Sequence, residues 1–127
     1  MPYKTFEELE VYKLAREFRK EVYRLIKKLP KDEKYNLVSQ MRRASTSLTN
    51  NIAEGHGRYH YQENIQFCRQ SRGSLSELID DLNICLDEQY FHEDYLNNLK
   101  QKAYEINKRL NGYIAYLGKR KADGEKS

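Results

Sequence analysis

The chain has 127 residues and a mass of 15.2 kDa, with 23 basic and 19 acidic side chains, a net charge of +4 and a mean hydropathy of −0.97. That length suits one domain and leaves no room for a second independent core. Hydrophobic residues still reach 39%, which excludes wholesale disorder, and no run approaches the roughly 18 apolar residues of a membrane span.

The opening, Met1-Pro2-Tyr3-Lys4-Thr5-Phe6-Glu7-Glu8, has no apolar signal-peptide core, so the expected setting is the cytoplasm. Cys68 and Cys85 fit free thiols in a reducing compartment. Only two prolines and six glycines punctuate the chain, which favours long helices. Thr5 opens the first helix, with Glu8 three residues on as a capping box. Its apolar face is Leu14, Phe18, Val22, Leu25 and Leu29, flanked by Val11 and Ala15, and Pro30 ends it. The second helix runs from about Lys34 to Glu54 on Leu37, Met41, Ala44, Leu48 and Ile52, with Gly55 and Gly57 as its stop.

The third runs from about Tyr61 to Glu88 on Tyr61, Ile65, Cys68, Leu75, Ile79, Leu82 and Leu86. Gly73 interrupts it at about 1 kcal/mol against alanine, which points to a packing reason. The fourth runs from about Glu93 to Leu117 on Tyr95, Leu99, Ala103, Ile106, Leu110, Tyr113 and Leu117, with Gly118 as its end. The expected architecture is all-α, an antiparallel up-down-up-down four-helix bundle over residues 1–118. Residues 119–127 read as a charged, disordered tail.

Charge is uneven along the chain. Residues 74–99 hold seven acidic and no basic side chains, whereas the rest is net basic. A basic row, Lys13, Arg16, Lys20, Arg24 and Lys27, recurs at gaps of three and four on the first helix, opposite its core. It spans about 21 Å at 1.5 Å per residue and could track backbone phosphates. The plainer reading is a solvated face paired with Glu17 and Glu21. Arg42, Arg58, Arg69 and Arg72 form a second basic group. Two polar rows, Gln40, Arg43, Ser47, Asn51 and Glu54, and Gln66, Gln70, Gly73, Glu77 and Asp81, lie on helix shoulders. They read as helix or subunit contacts, since Gly73 admits a close backbone. The eleven tyrosines read mainly as packing near the bundle ends, with base stacking by Tyr59 and Tyr61 as the alternative.

Phe6-Glu7-Glu8-Leu9-Glu10-Val11-Tyr12, Gln40-Met41-Arg42-Arg43-Ala44 with Ser47, Asn51-Ile52-Ala53-Glu54-Gly55, and Phe67 with Gly73-Ser74-Leu75-Ser76-Glu77-Leu78 form three signatures. Together they resemble the 23S rRNA intervening-sequence protein family, also called four helix bundle proteins. The chain departs at Thr49, where the family commonly has proline, and at Tyr12, where tryptophan is usual. The resemblance implies a four-helix subunit in a homopentamer. A basic, pentameric accessory protein of diversity-generating retroelements is similar in fold and works with nucleic acid, which turns the reading toward RNA or DNA.

Catalytic patterns fare poorly. No arginine stands five to seven positions before His56, His60 or His92, as a helical-bundle ribonuclease requires. No Glu-x-x-His pair offers a di-iron site. His56 and His60 have a zinc-pair spacing, but Gly55 and Gly57 break the helix they would need. Glu77, Asp80 and Asp81 give half of a magnesium carboxylate pattern, with Glu54 alone opposite. The expectation is a non-catalytic oligomer without cofactor or metal, binding RNA or DNA through both basic groups. The alternative is a scaffold for another protein, docked through Glu77, Asp80, Asp81, Asp87 and Glu88.

Overall fold

A computed structural model describes residues 5–124. Four helices carry the architecture: α1 (Glu10–Ile26), α2 (Leu37–His56), α3 (Tyr61–Asp87) and α4 (Glu93–Ala122). Short connections make chain neighbours antiparallel. α1 packs against α2 and α4, and α3 packs against the same two, so α1 and α3 stand on a diagonal. This is the expected four-helix bundle.

Each helix buries one stripe. Val11, Ala15, Phe18, Val22 and Leu25 supply it on α1, and all five expected positions supply it on α2. α3 adds Leu78 and Cys85, and α4 begins its stripe at Leu96 rather than Tyr95. The gaps from Leu96 to Leu99 to Ala103 keep helical phase; Tyr95 falls one position off and stays 40% exposed. Burial pushes the Cys68 and Cys85 thiols up to about 12.

Several boundaries differ from the sequence reading, among them the start of α2 at Leu37 rather than near Lys34. Thr5 and Glu8 do form the capping box, but around a 3-10 turn at Phe6–Glu8. Leu9 then turns extended, and α1 starts at Glu10. At the other end α1 stops at Ile26, and a turn with Lys28 N–H on Leu25 O carries the chain to Pro30. Gly55 does not stop α2. It is buried inside the helix, where an added Cβ would come 2.7 Å from Asn64 Oδ1 and 2.9 Å from Phe67 Cβ. Its role is to let the start of α3 approach.

α4 continues through Gly118 to Ala122, so residues 119–122 belong to the bundle. The last turn is held by Lys121 Nζ on Gln62 Oε1 at 2.6 Å and by Arg120 on Tyr61. Lys119, Arg120 and Lys121 also suit the negative end of the helix dipole. Gly124, with φ +84°, provides the glycine turn that the sequence pattern assigns to Gly118. Residues 125–127 of the expected tail lie outside the described residues. No described helix is long and apolar enough to cross a membrane.

Candidate nucleic-acid interface

The five cations of the α1 row, Lys13, Arg16, Lys20, Arg24 and Lys27, are all exposed. Lys13 pairs with Glu10 at 3.8 Å and Lys20 with Glu17 at 3.4 Å. Exposed pairs of this kind contribute about 0–1 kcal/mol, so they leave both cations free to meet a phosphate.

Helical phase sorts the charges of α1 more sharply than the sequence run does. Arg19 Nη1 donates to Thr49 Oγ1 at 2.7 Å, and the Tyr23 hydroxyl meets Thr46 Oγ1, which marks the flank toward α2. Lys102 Nζ reaches Glu21 Oε1 at 2.7 Å, which marks the flank toward α4. At about 100° per residue, Arg16 and Lys27 lean to the α2 side, while Lys20 stands at the boundary and pairs with Glu17 at 3.4 Å. Glu10, Glu17 and Glu21 all fall on the α4 side. There Glu17, Glu21, Arg24, Lys102 and Glu105 rim a groove of about 320 Å³ floored by Leu14, Phe18 and Ile106. Arg24 therefore turns away from its row-mates toward mixed charge.

α2 completes the acid-free side. Residues 35–53 contain Arg42 and Arg43 and no carboxylate. The Arg42 guanidinium lies 4.8 Å from the Tyr23 ring centroid, tying it to α1. Ser39, Arg42, Arg43, Thr46, Ser47, Asn50 and Asn51 line a shallow open depression along this helix. The α1–α2 face thus presents Arg16, Lys20, Lys27 and Arg42 with hydroxyl and amide neighbours. Its acids stand at the ends: Glu7 and Glu8 in the first turn, Asp32 and Glu33 in the loop before α2.

The rest of the second basic group is dispersed. Arg58 pairs with Glu54 at 2.9 Å and Glu63 at 3.8 Å and packs over Phe67. Arg72 crosses to α4, donating to Asn111 Oδ1 at 2.8 Å. Arg69, exposed one turn earlier on α3, shares that far flank.

The two polar rows meet along the α2–α3 seam. Ser74 Oγ donates to Ser47 Oγ at 2.9 Å, and Asn51 Nδ2 reaches Ser47 O and Oγ, each at 2.9 Å. Glu77 and Arg43 both act on Asp81 through space. Gln40 instead bonds Asn36 Oδ1 at 2.9 Å, and Glu54 is taken by Arg58. Gly73 has no heavy atom within 4 Å of its Cβ position, so nothing among the described residues uses the close approach it allows. Asp81 is 5% exposed, and burial, then Asp80 and Glu77, push its carboxyl up to about 6 against the pull of Arg43.

Sequence reasoning missed Arg19, Tyr23 and Ser71, whose hydroxyl donates to Leu48 O at 2.8 Å across the seam. Their signal is position: each stands on the shoulder of an apolar stripe, where a polar group reaches the neighbouring helix. Among the described residues no three His, Cys, Asp or Glu side chains converge as metal ligands would.

The family model described as 23S rRNA-intervening sequence protein matches residues 7–112. Among solved structures the chain is similar to a protein of unknown function from the S23 ribosomal protein family of Bacteroides thetaiotaomicron. The two are 23% identical with a TM-score of 0.77, over 83% of this chain and 95% of that one. At that identity the likeness speaks for the fold. No curated protein matches the chain.

Proposed function

The chain belongs to the 23S rRNA-intervening sequence protein family, and we propose that it works as a non-catalytic, cytoplasmic homo-oligomer that binds RNA or DNA through the α1–α2 face. The observation that carries this reading is the sorting of charge on α1: Arg16 and Lys27 toward α2, Glu10, Glu17 and Glu21 toward α4, and Lys20 at the boundary, paired with Glu17. A polyanion approaching the first flank meets cations without a carboxylate between them, and each neutralised phosphate releases counterions.

Assembly is assigned to the adjoining α2–α3 seam. Gly73 leaves room for a neighbouring backbone, and Asp81 is a buried carboxylate on which Arg43 acts through space. Five subunits are what the family resemblance implies. The non-catalytic character is supported by the thiols, which burial keeps far from the pKa of a nucleophile. A second reading has its own support: Glu77, Asp80 and Asp87 are exposed on α3 and Glu88 at its C-terminal end, on the opposite diagonal from α1. They suit a basic protein partner.

Salt-titrated anisotropy with labelled RNA and DNA, combined with light scattering, tests both halves. The double variant Arg16→Glu/Lys20→Glu should lower nucleic-acid affinity at least tenfold at 100 mM salt. Unchanged affinity refutes the face. A scattering mass of one 15.2 kDa chain refutes the assembly. A salt-insensitive protein complex with no nucleic-acid affinity selects the second reading.

A further inference from the structure

We infer that the connection between α1 and α2 holds a single-stranded segment of RNA or DNA, an unpaired base stacking on the Tyr35 ring while Lys31 and Lys34 take the phosphates beside it. The inference rests on the nucleic-acid reading above and adds the form of the ligand and the point where the protein grips it.

Residues 27–36 join α1 to α2. Within them Tyr35 is 87% exposed, and its one partner among the described residues is the Lys34 ammonium, 5.3 Å from the ring centroid. A cation at that distance lies over one face of the ring and leaves the other open. The backbone beneath the ring is held. Lys28 and Leu29 N–H groups donate to Leu25 O and Ile26 O, those of Glu33 and Lys34 to Pro30 O and Lys31 O, and that of Asn36 to Glu33 O. Leu29 packs against the core. Glu33 Oε2 accepts the Tyr90 hydroxyl at 2.5 Å, and Oε1 accepts Asn36 Nδ2 at 3.0 Å. The ring therefore stands on fixed backbone with only two side-chain torsions to settle, so little freedom is lost when a base covers it.

The charge around the ring is positive. Lys27, Lys28, Lys31 and Lys34 are exposed, and among the described residues none pairs with a carboxylate. Of the two acids in the connection, Glu33 is engaged by Tyr90 and Asn36, and Asp32 is exposed. Lys31 and Lys34 are one turn apart, with Lys34 N–H on Lys31 O at 3.1 Å, and Tyr35 follows directly. Lys27, at the α1 end of the connection, leads the strand on to the α1–α2 face. The tyrosines that the sequence suggests for stacking lack this combination. Tyr61 is buried. Tyr59 meets His60 edge-on at 4.8 Å, and Arg58 beside it is taken by Glu54 and Glu63. Tyr95, Tyr104 and Tyr116 stand on α4, diagonal to α2. Only an unpaired base has a face to give, since neighbours in a duplex cover both faces of every internal pair. One base stacked on an aromatic ring changes affinity by about five- to 150-fold, with little regard to sequence because every base has a π-face.

The test measures anisotropy at 100 mM potassium chloride with a 20-nucleotide strand, as RNA and as DNA, and with a 20-base-pair duplex whose ends are closed by polyethylene-glycol linkers. The strand should bind the wild type at least fivefold more tightly than the closed duplex. Tyr35→Ala should weaken strand binding at least fivefold and duplex binding less than twofold, with an unchanged thermal midpoint and an unchanged salt slope. Tyr35→Phe keeps the ring and should stay within twofold of wild type. Lys31→Gln/Lys34→Gln should reduce the slope of log affinity against log salt by about 1.4, or about 0.7 for each phosphate released from a single strand. A folded Tyr35→Ala variant with wild-type strand affinity overturns the inference and leaves the nucleic-acid reading standing. So does a closed duplex that binds as tightly as the strand, or a Tyr35→Phe loss as large as that of Tyr35→Ala. Failure of every oligonucleotide to bind, with or without Tyr35-dependent capture by anionic lipid vesicles, overturns both.

Discussion

Replacing Asp81 by asparagine should stabilise the chain at neutral pH and have little effect near pH 4. Asp81 is 5% exposed, and burial, then the neighbouring Asp80 and Glu77, raise its carboxyl from the ordinary 3.8 to about 6. A raised carboxyl opposes folding once it must ionise. Below the unfolded value both states hold the proton and nothing is lost. Between about 4 and 6 the unfolded chain releases its proton first, so stability falls as pH rises; above 6 the penalty is complete. A rise of that size costs the folded state about 3 kcal/mol, since each pH unit between the folded and unfolded values is worth about 1.36 kcal/mol. The asparagine amide still has to find partners in the seam, so the expected gain at pH 7.5 is about 1–3 kcal/mol. At about 2.1 cal/mol/K per residue of unfolding entropy, that raises the midpoint by roughly 4–11 °C. Paired urea and thermal melts of wild type and Asp81→Asn at pH 7.5 and 4 measure it, and the difference should shrink below about 1 kcal/mol at the lower pH. A variant no more stable than wild type at pH 7.5, or a gain that persists undiminished at pH 4, would refute the account of a carboxylate whose burial costs more than Arg43 returns.

Gly55→Ala should destabilise by about 1–3 kcal/mol, because its Cβ would press against Asn64 and Phe67 where the helices are closest; an unchanged melt would mean the approach relaxes freely. Gly73→Ala meets no neighbour among the described residues and should gain up to about 1 kcal/mol in helix propensity, read in dilute solution, while any loss of assembled mass by light scattering would mark Gly73 as a subunit contact. Gln89, at φ 58°, caps α3 with Tyr90 N–H on Cys85 O and Gln89 N–H on Leu86 O. Glycine there should add about 1 kcal/mol by removing the left-handed penalty, and a lower midpoint would contradict that geometry.

The bundle was legible because apolar spacing is a local property. The five α2 positions Leu37, Met41, Ala44, Leu48 and Ile52 are all buried, as their three- and four-residue gaps predict. The boundaries were less legible because the same residue type serves two ends. Gly55 and Gly118 look like helix stops in the sequence. Gly55 is instead set by the nearness of Asn64, and Gly118 is overridden by the bonds that Arg120 and Lys121 make to α3. Neither contact can be read from residues close in sequence. The same holds for Leu9, where one extended residue separates the capped turn from α1.

For the candidate site, the sequence showed the α1 row and hid its meaning. Glu17 and Glu21, set among Lys20 and Arg24, suggest a face neutralised along its length. The fold turns Glu21 toward α4, where Lys102 takes it, and leaves Glu17 paired with Lys20. A helix whose segment charge is nearly balanced can therefore show one flank of a single sign, provided a neighbour covers the other. The division of α2 was hidden for a related reason. Arg42 and Arg43 are adjacent in sequence yet point to opposite shoulders of α2. Arg42 joins α1 through the Tyr23 ring, and Arg43 joins the seam beside Asp81. This division lets one helix serve two surfaces. If ligand and subunit both required the same side of α2, assembly would compete with binding, and affinity would fall as chains associate. With the surfaces on different shoulders, raising the protein concentration through the assembly range should leave the affinity per chain unchanged or raise it by avidity.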